Sequence, residues 1–154
     1  MKLKRVLLLG MALLSLTMLI AGCDDTDHDT SPILPGQIAV LDMSFQPNPV
    51  AESATLNVFR YVATFLETNG VGVNLNYVRA ETRDDEGTIL SETDGDETWF
   101  RETFGTSYLP ANGRLLANFR TETREGKRVN WVFKGVDDYG NSVETSEIIE
   151  LIHN

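Results

Sequence analysis

Asn130-Trp131-Val132-Phe133-Lys134-Gly135-Val136-Asp137-Asp138-Tyr139-Gly140-Asn141, with the Val- and Ile-rich run Val143 to Ile152 behind it, decides the fold class. Val129, Trp131 and Phe133 fall on one face, and Asn130, Val132 and Lys134 on the other. A period of two marks a half-buried strand, because successive side chains leave a pleated backbone on opposite sides. Asp137 to Asn141 then supplies a turn. Glycine tolerates positive φ, and short polar side chains bond their own backbone. The C-terminus therefore predicts strand, turn, strand.

The same alternation continues upstream. Leu115, Ala117 and Phe119 alternate with Leu116, Asn118 and Arg120, and Arg124-Glu125-Gly126-Lys127 turns the chain. These last three strands are expected to form a meander. Pro110-Ala111-Asn112-Gly113 is a further turn, and Trp99-Phe100, near Phe104 and Tyr108, is read as extended. Ser91 to Glu97 reads as a polar loop after a short strand at Thr88-Ile89-Leu90, itself preceded by the turn Asp84-Asp85-Glu86-Gly87. Val71, Val73, Leu75 and Tyr77 alternate with Gly72, Asn74 and Asn76 in a strand running to about Arg83, entered through the tight turn Asn69-Gly70. Leu56 to Leu66 fits a helical face as well, but its β-branched and aromatic content favours a strand. Ala39, Leu41, Met43 and Phe45 share a face, and Gln46-Pro47-Asn48-Pro49 ends that strand. The sum is about seven strands and no convincing helix, which fits an all-β antiparallel sandwich over residues 37–154. Trp131 and Trp99 are its core candidates.

The stretch from Phe45-Gln46-Pro47-Asn48-Pro49-Val50 to the C-terminus resembles the immunoglobulin-like or fibronectin type III-like domains of bacterial surface proteins. An aromatic strand entering an Asp-Gly-Asn turn before a Val/Thr-rich last strand carries most of that resemblance. It implies an immunoglobulin-like β-sandwich. No function transfers with it, since sandwiches of this type host unrelated activities. The cysteine pair of antibody domains is absent, because the chain has one cysteine.

Residues 1–22 have another character. Lys2, Lys4 and Arg5 precede an uncharged run, Val6 to Ala21, in the manner of a helical signal peptide. The run is short of the roughly 20 apolar residues that cross a bilayer. Ile20-Ala21-Gly22-Cys23 resembles the bacterial lipobox. That resemblance implies cleavage between Gly22 and Cys23, diacylglycerol on the Cys23 sulfur and often a further acyl chain, such as palmitate, on the new amino terminus. Two or more chains anchor stably where one does not, at about 0.8 kcal/mol per buried methylene. A lipidated Cys23 leaves no disulfide, thiolate nucleophile or cysteine-bound zinc.

Residues 23–36 form an acidic tether. Asp24-Asp25-Thr26-Asp27-His28-Asp29 repels itself, and Pro32, Pro35 and Gly36 follow. A disordered linker is expected, with a reach on the order of 45 Å when extended. Asp24 and Asp25 resemble the retention signal that keeps some Gram-negative lipoproteins in the inner membrane. In other bacterial groups, acids near this position resemble a surface-export signal, so the leaflet stays open.

Composition narrows the chemistry. Losing Lys2, Lys4 and Arg5 and no acid takes the net charge from −10 to −13. A strongly acidic domain repels nucleic acid, which is excluded as a partner. The two histidines are His28 on the tether and His153 beside the last residue, neither placed for a triad. No glycine-rich phosphate loop occurs. Neither enzymatic activity nor a cofactor is expected. Asp94, Asp96, Asp137 and Asp138 are weak calcium candidates, but no complete series of the six to eight oxygens calcium takes is present, and Asp favours turns for backbone reasons alone. The arginines Arg79, Arg83, Arg101, Arg114, Arg120, Arg124 and Arg128 fall among strands and turns, and are expected to pair with acids such as Glu81 and Glu122 across strands.

The function these features favour is a lipid-anchored cell-envelope lipoprotein with a non-catalytic immunoglobulin-like module. That module would contact an envelope protein or glycan through strand edges or loops. The alternatives are a carbohydrate-binding accessory lipoprotein, stacking sugars on Trp99, Tyr108 or Tyr139, and a calcium-stabilised adhesion module.

Overall fold

The computed structural model describes residues 36–54 and 57–154. The signal peptide, Gly22, Cys23, Asp24, Asp25 and the tether as far as Pro35 lie outside the described residues. The described chain runs β1 (Leu41–Gln46), β2 (Val50–Ala51), β3 (Val58–Glu67), β4 (Val73–Arg83), β5 (Ile89–Asp96), α1 (Glu97–Phe104), β6 (Tyr108–Leu109), β7 (Arg114–Glu122), β8 (Arg128–Asp137) and β9 (Ser142–Ile152). One sheet has the order β1-β3-β7, and the other β2-β9-β8-β4-β5 with β6 also on β4. Every pairing between these strands is antiparallel except the short β2–β9 contact.

This is an all-β sandwich of the immunoglobulin-like type. In the lettering of those domains, β1, β3 and β7 stand where strands A, B and E stand, and β9, β8, β4 and β5 where G, F, C and C′ stand. Strand D, which pairs with the outer edge of E, has no counterpart among the described residues. The chain between β5 and β7 forms α1 instead.

The inner faces follow the alternation seen in the sequence. Val129, Trp131 and Phe133 of β8 face inward, opposite Phe59, Tyr61, Ala63 and Phe65 of β3, all buried. The Phe65 and Phe133 rings meet edge-on with centroids 4.4 Å apart, joining the two sheets. Trp131 is buried as expected, and Trp99 is partly buried against the same core.

Three local expectations are corrected. Ser91 to Glu97 is not a polar loop. β5 extends through it to Asp96, exposed on both faces, so no apolar period marks it. Trp99 and Phe100 are not extended but sit in α1, where Asp96 caps the N-terminus and Gly105, at φ 78°, ends the helix. Nor do the last three strands form a meander. β7 pairs with β3, and only β8 and β9 are neighbours.

One side of the sandwich is closed. The chain crosses there from β1 to β2, and the Asn48 side chain reads the β9 backbone, donating to Ile148 O at 2.8 Å and accepting from Glu150 N at 3.1 Å. Among the described residues no helix is long and apolar enough to cross a membrane.

Candidate functional site

The opposite side is open. β5 and β7 are the edges of the two sheets, and each presents an unpaired row of backbone groups. Between them lies a cleft of about 310 Å³. Ser91 and Thr93 of β5 form one lip, and Phe119 to Glu122 of β7 the other. Trp99, Val129 and Trp131 line its interior.

α1 sets the extent of this cleft. Eight residues of helix lie against β4, β5 and β7. Trp99 stacks on Phe119 with centroids 6.0 Å apart, and Phe104 meets Phe65 edge-on at 5.4 Å. The helix therefore covers the half of the open side near Phe65 and leaves the half near Thr121 free. Gly95 permits the approach of Trp99. A Cβ there would lie 2.6 Å from Trp99 Cγ and 2.7 Å from Val78 Cγ1, closer than carbon atoms pack.

Trp131 gives the cleft a polar feature. The residue is 7 % exposed, and its buried Nε1–H makes no hydrogen bond of normal geometry. The Tyr61 hydroxyl nearby is already bonded to Thr121 Oγ1 at 2.9 Å. Burial raises the Tyr61 phenol above its ordinary pKa, against the lowering effect of Thr121 and Trp131. The Tyr61 hydroxyl can take only a poorly aligned bond from this donor, and an arriving acceptor would improve on it.

The acids singled out in the sequence go elsewhere. Asp94 accepts from the Tyr77 hydroxyl at 3.1 Å, and Asp96 caps α1 through Thr98 N at 2.8 Å. Asp137 is buried and accepts from the backbone of Ala39, Tyr139 and Asn141. Burial alone would raise its pKa, but these hydrogen bonds outweigh it and hold the carboxyl below the ordinary range. Asp138 accepts from the Tyr108 hydroxyl at 3.0 Å. Among the described residues no three His, Cys, Asp or Glu side chains gather where they could hold a metal ion.

The other candidates separate too. Tyr108 and Tyr139 are exposed, but Trp99 packs into the aromatic cluster of the core and away from them. His153 contacts the Gly126 carbonyl at 2.7 Å and the Phe59 ring edge-on. Of the seven arginines singled out in the sequence, Arg79, Arg83 and Arg120 find Glu81 or Glu122, mostly along their own strand, and Arg101 pairs with Glu97 within α1. Arg79 and Arg83 both meet Glu81, and Arg120 meets Glu122, while Arg79 alone crosses to Glu92. Sequence reasoning missed the cleft itself, and Glu67, a buried carboxylate that accepts four backbone N–H groups.

No family profile matches this chain. No curated protein matches it either. Solved structures do. The ApaA-assigned protein of Bordetella pertussis superposes with a TM-score of 0.50 at 14% identity, over 75% of this chain and 96% of its own. A CARDB domain from Pyrococcus furiosus in complex with di-metal ions gives 0.42 at 15% identity, over 77% and 97%. Murine CRIg gives 0.40 at 15% identity, over 73% and 98%. At such identities the Bordetella likeness speaks to the sandwich fold alone.

Proposed function

We propose that this chain is a lipid-tethered, non-catalytic binding module of the bacterial cell envelope, and that it takes a protein partner by strand addition along the open edge of β7. Lipid on Cys23 supplies the anchor, and the acidic tether sets the domain away from the bilayer. Asp24 and Asp25 bias the choice of membrane.

The observation that carries this reading is the asymmetry of the two sides. One is closed by the β1–β2 crossing and the Asn48 clamp, and the other leaves β7 unpaired beside a cleft floored by Trp131. Unpaired edges pair with any strand that reaches them, so folded proteins usually cover or charge them. β7 carries no proline, its register with β3 is unbroken over nine pairs, and its charged side chains, Arg114, Arg120 and Glu122, lie together on the outer face and leave the cleft-facing positions uncharged. Main-chain bonds along such an edge give affinity, and a neighbouring pocket gives specificity.

The use of the acids supports a module without catalysis. Glu67, Asp96 and Asp137 are engaged in holding backbone, and Glu122, the acid on the cleft lip, is paired with Arg120.

A photo-crosslinking residue at Thr93, on the exposed lip of the cleft, tests the reading in living cells against the same residue at Glu144, on the outer face of the larger sheet. The expected result is one discrete crosslinked protein at position 93, absent at 144 and absent when Ser91→Trp fills the cleft. Equal capture at both positions, or none at 93, would sink it.

A further inference from the structure

Arg60 and Arg120 stand directly opposite each other on β3 and β7. Both are exposed on the outer face of the smaller sheet. Like charges facing across strands are destabilising. Glu122 pairs with Arg120, and among the described residues no ion pair reaches Arg60. Arg120, at the free edge, thus has one carboxylate beside it, and Arg60, inboard on β3, faces it with none. Residues 37–154 hold 19 acids against 10 bases, so a basic edge is unusual for this domain.

Arg120 lies between Phe119 and Thr121, whose side chains point inward to the cleft. A strand added to β7 must match that alternation. The residue facing Arg120 points outward with it, and the residues facing Phe119 and Thr121 point into the cleft.

Resting on the strand-addition reading, we infer that the partner segment is an extended apolar–acidic–apolar sequence. Its Asp or Glu faces Arg120 and completes the Arg60–Arg120–Glu122 cluster. One flanking side chain enters the cleft beside Trp99 and Trp131, and brings an acceptor to the Trp131 Nε1–H. Both features required of the ligand answer groups left incomplete in the free domain, one an excess of positive charge and one a buried donor with only a poorly aligned bond.

The test is selection from a displayed library of short Thr- and Val-rich extended peptides, with three central positions randomised, on the full chain solubilised from membranes. The expected enrichment is Asp or Glu between two large apolar residues. Arg120→Glu should invert the central preference to Lys or Arg and weaken the acidic peptide about fivefold, the upper range for one cross-strand charge pair. Arg120→Lys should keep the acidic preference. Thr93→Trp, an exposed position on the cleft lip, should abolish binding of all selected peptides. If Thr93→Trp blocks binding but the central position shows no acidic preference, or Arg120→Glu does not change it, the acidic motif is wrong and strand addition stands. If the selected peptides ignore Thr93→Trp, or none is selected, the strand-addition reading falls and the motif with it.

Discussion

The carboxylate of Glu67 accepts the backbone N–H of Asn112 at 2.8 Å, tying the end of β3 to the turn that precedes β7. The same carboxylate accepts from Val40 N at 3.2 Å, Asn69 N at 2.8 Å and Gly70 N at 2.8 Å. One buried acid therefore holds three separate stretches of backbone at one end of the smaller sheet. Removing it strands donors that have few other acceptors. Glu67→Ala is expected to destabilise the domain by on the order of 3 kcal/mol, since hydrogen bonds to a charged group count for more than neutral ones and unsatisfied donors add their own cost. Urea unfolding should show a lower midpoint with an unchanged slope. A loss under about 1 kcal/mol would mean that water replaces the carboxylate at little cost.

Asp137 does the same work at the β8–β9 turn, and its stability contribution should follow pH. Its folded pKa lies below the ordinary carboxyl value of 3.8. For a depressed acid the stabilisation is fully present above the unfolded pKa and is lost as pH falls through the folded one. Glu52 and Asp96 are lowered too, by hydrogen bonds from Asn57 and Asn154 and from Thr98 and Trp99 respectively. The melting temperature should therefore be flat from neutral pH down to about 5 and fall below about 4. Asp137→Asn should melt lower at neutral pH and lose part of that acid-side slope. Parallel curves for the two proteins below pH 4 would show that Asp137 is not among the titrating groups.

How much of this was legible in the sequence depended on the range of the interaction. The inner face of β8 shows in the alternation of Val129, Trp131 and Phe133, because burial of one sheet face imposes a local period of two. α1 left only short-range marks: Asp96 before it, Gly105 after it, Phe100 and Phe104 four apart, and Glu97 paired with Arg101. Two turns of helix between strands are too few for a period to stand out against the aromatic content. The partner of β7 was invisible, since alternation says which face is buried and not which strand lies alongside. Asp137 reads as an ordinary turn acid and Glu67 carries no mark in the sequence, because the donors that define them, Ala39 and Asn112, are 98 and 45 residues away. The cleft needs both sheets before it exists at all.

Phe133 makes the shortest ring-to-ring contact between the two sheets among the described residues. Its ring lies 4.4 Å from Phe65 across the sandwich, 5.5 Å from Trp131 and 5.9 Å from Phe100 of α1, measured between centroids. Phe133→Ala removes the contact that joins all three layers of side chains and leaves a cavity that a paired sheet cannot collapse. The expected cost is about 3–5 kcal/mol. Near-ultraviolet circular dichroism should weaken alongside the urea midpoint, since Trp131 loses its stacking neighbour. A midpoint that barely moves would place the packing centre elsewhere, around Phe59 and Ile149.

Membrane attachment and folding should separate at Cys23. The proposed anchor is one sulfur, that of Cys23, while the described sandwich has its own core beyond residue 36. Cys23→Ala should therefore abolish fatty-acid labelling and release the protein from the membrane fraction. The domain's urea midpoint should stay unchanged, because a chain-terminal acyl group adds nothing to the packing of the two sheets. Asp24→Ser with Asp25→Ser should leave labelling intact and alter only the membrane in which the protein is found. A Cys23→Ala protein that remains membrane-bound would identify the run Val6 to Ala21 as a spanning helix, and the tether would then begin from that helix and not from lipid.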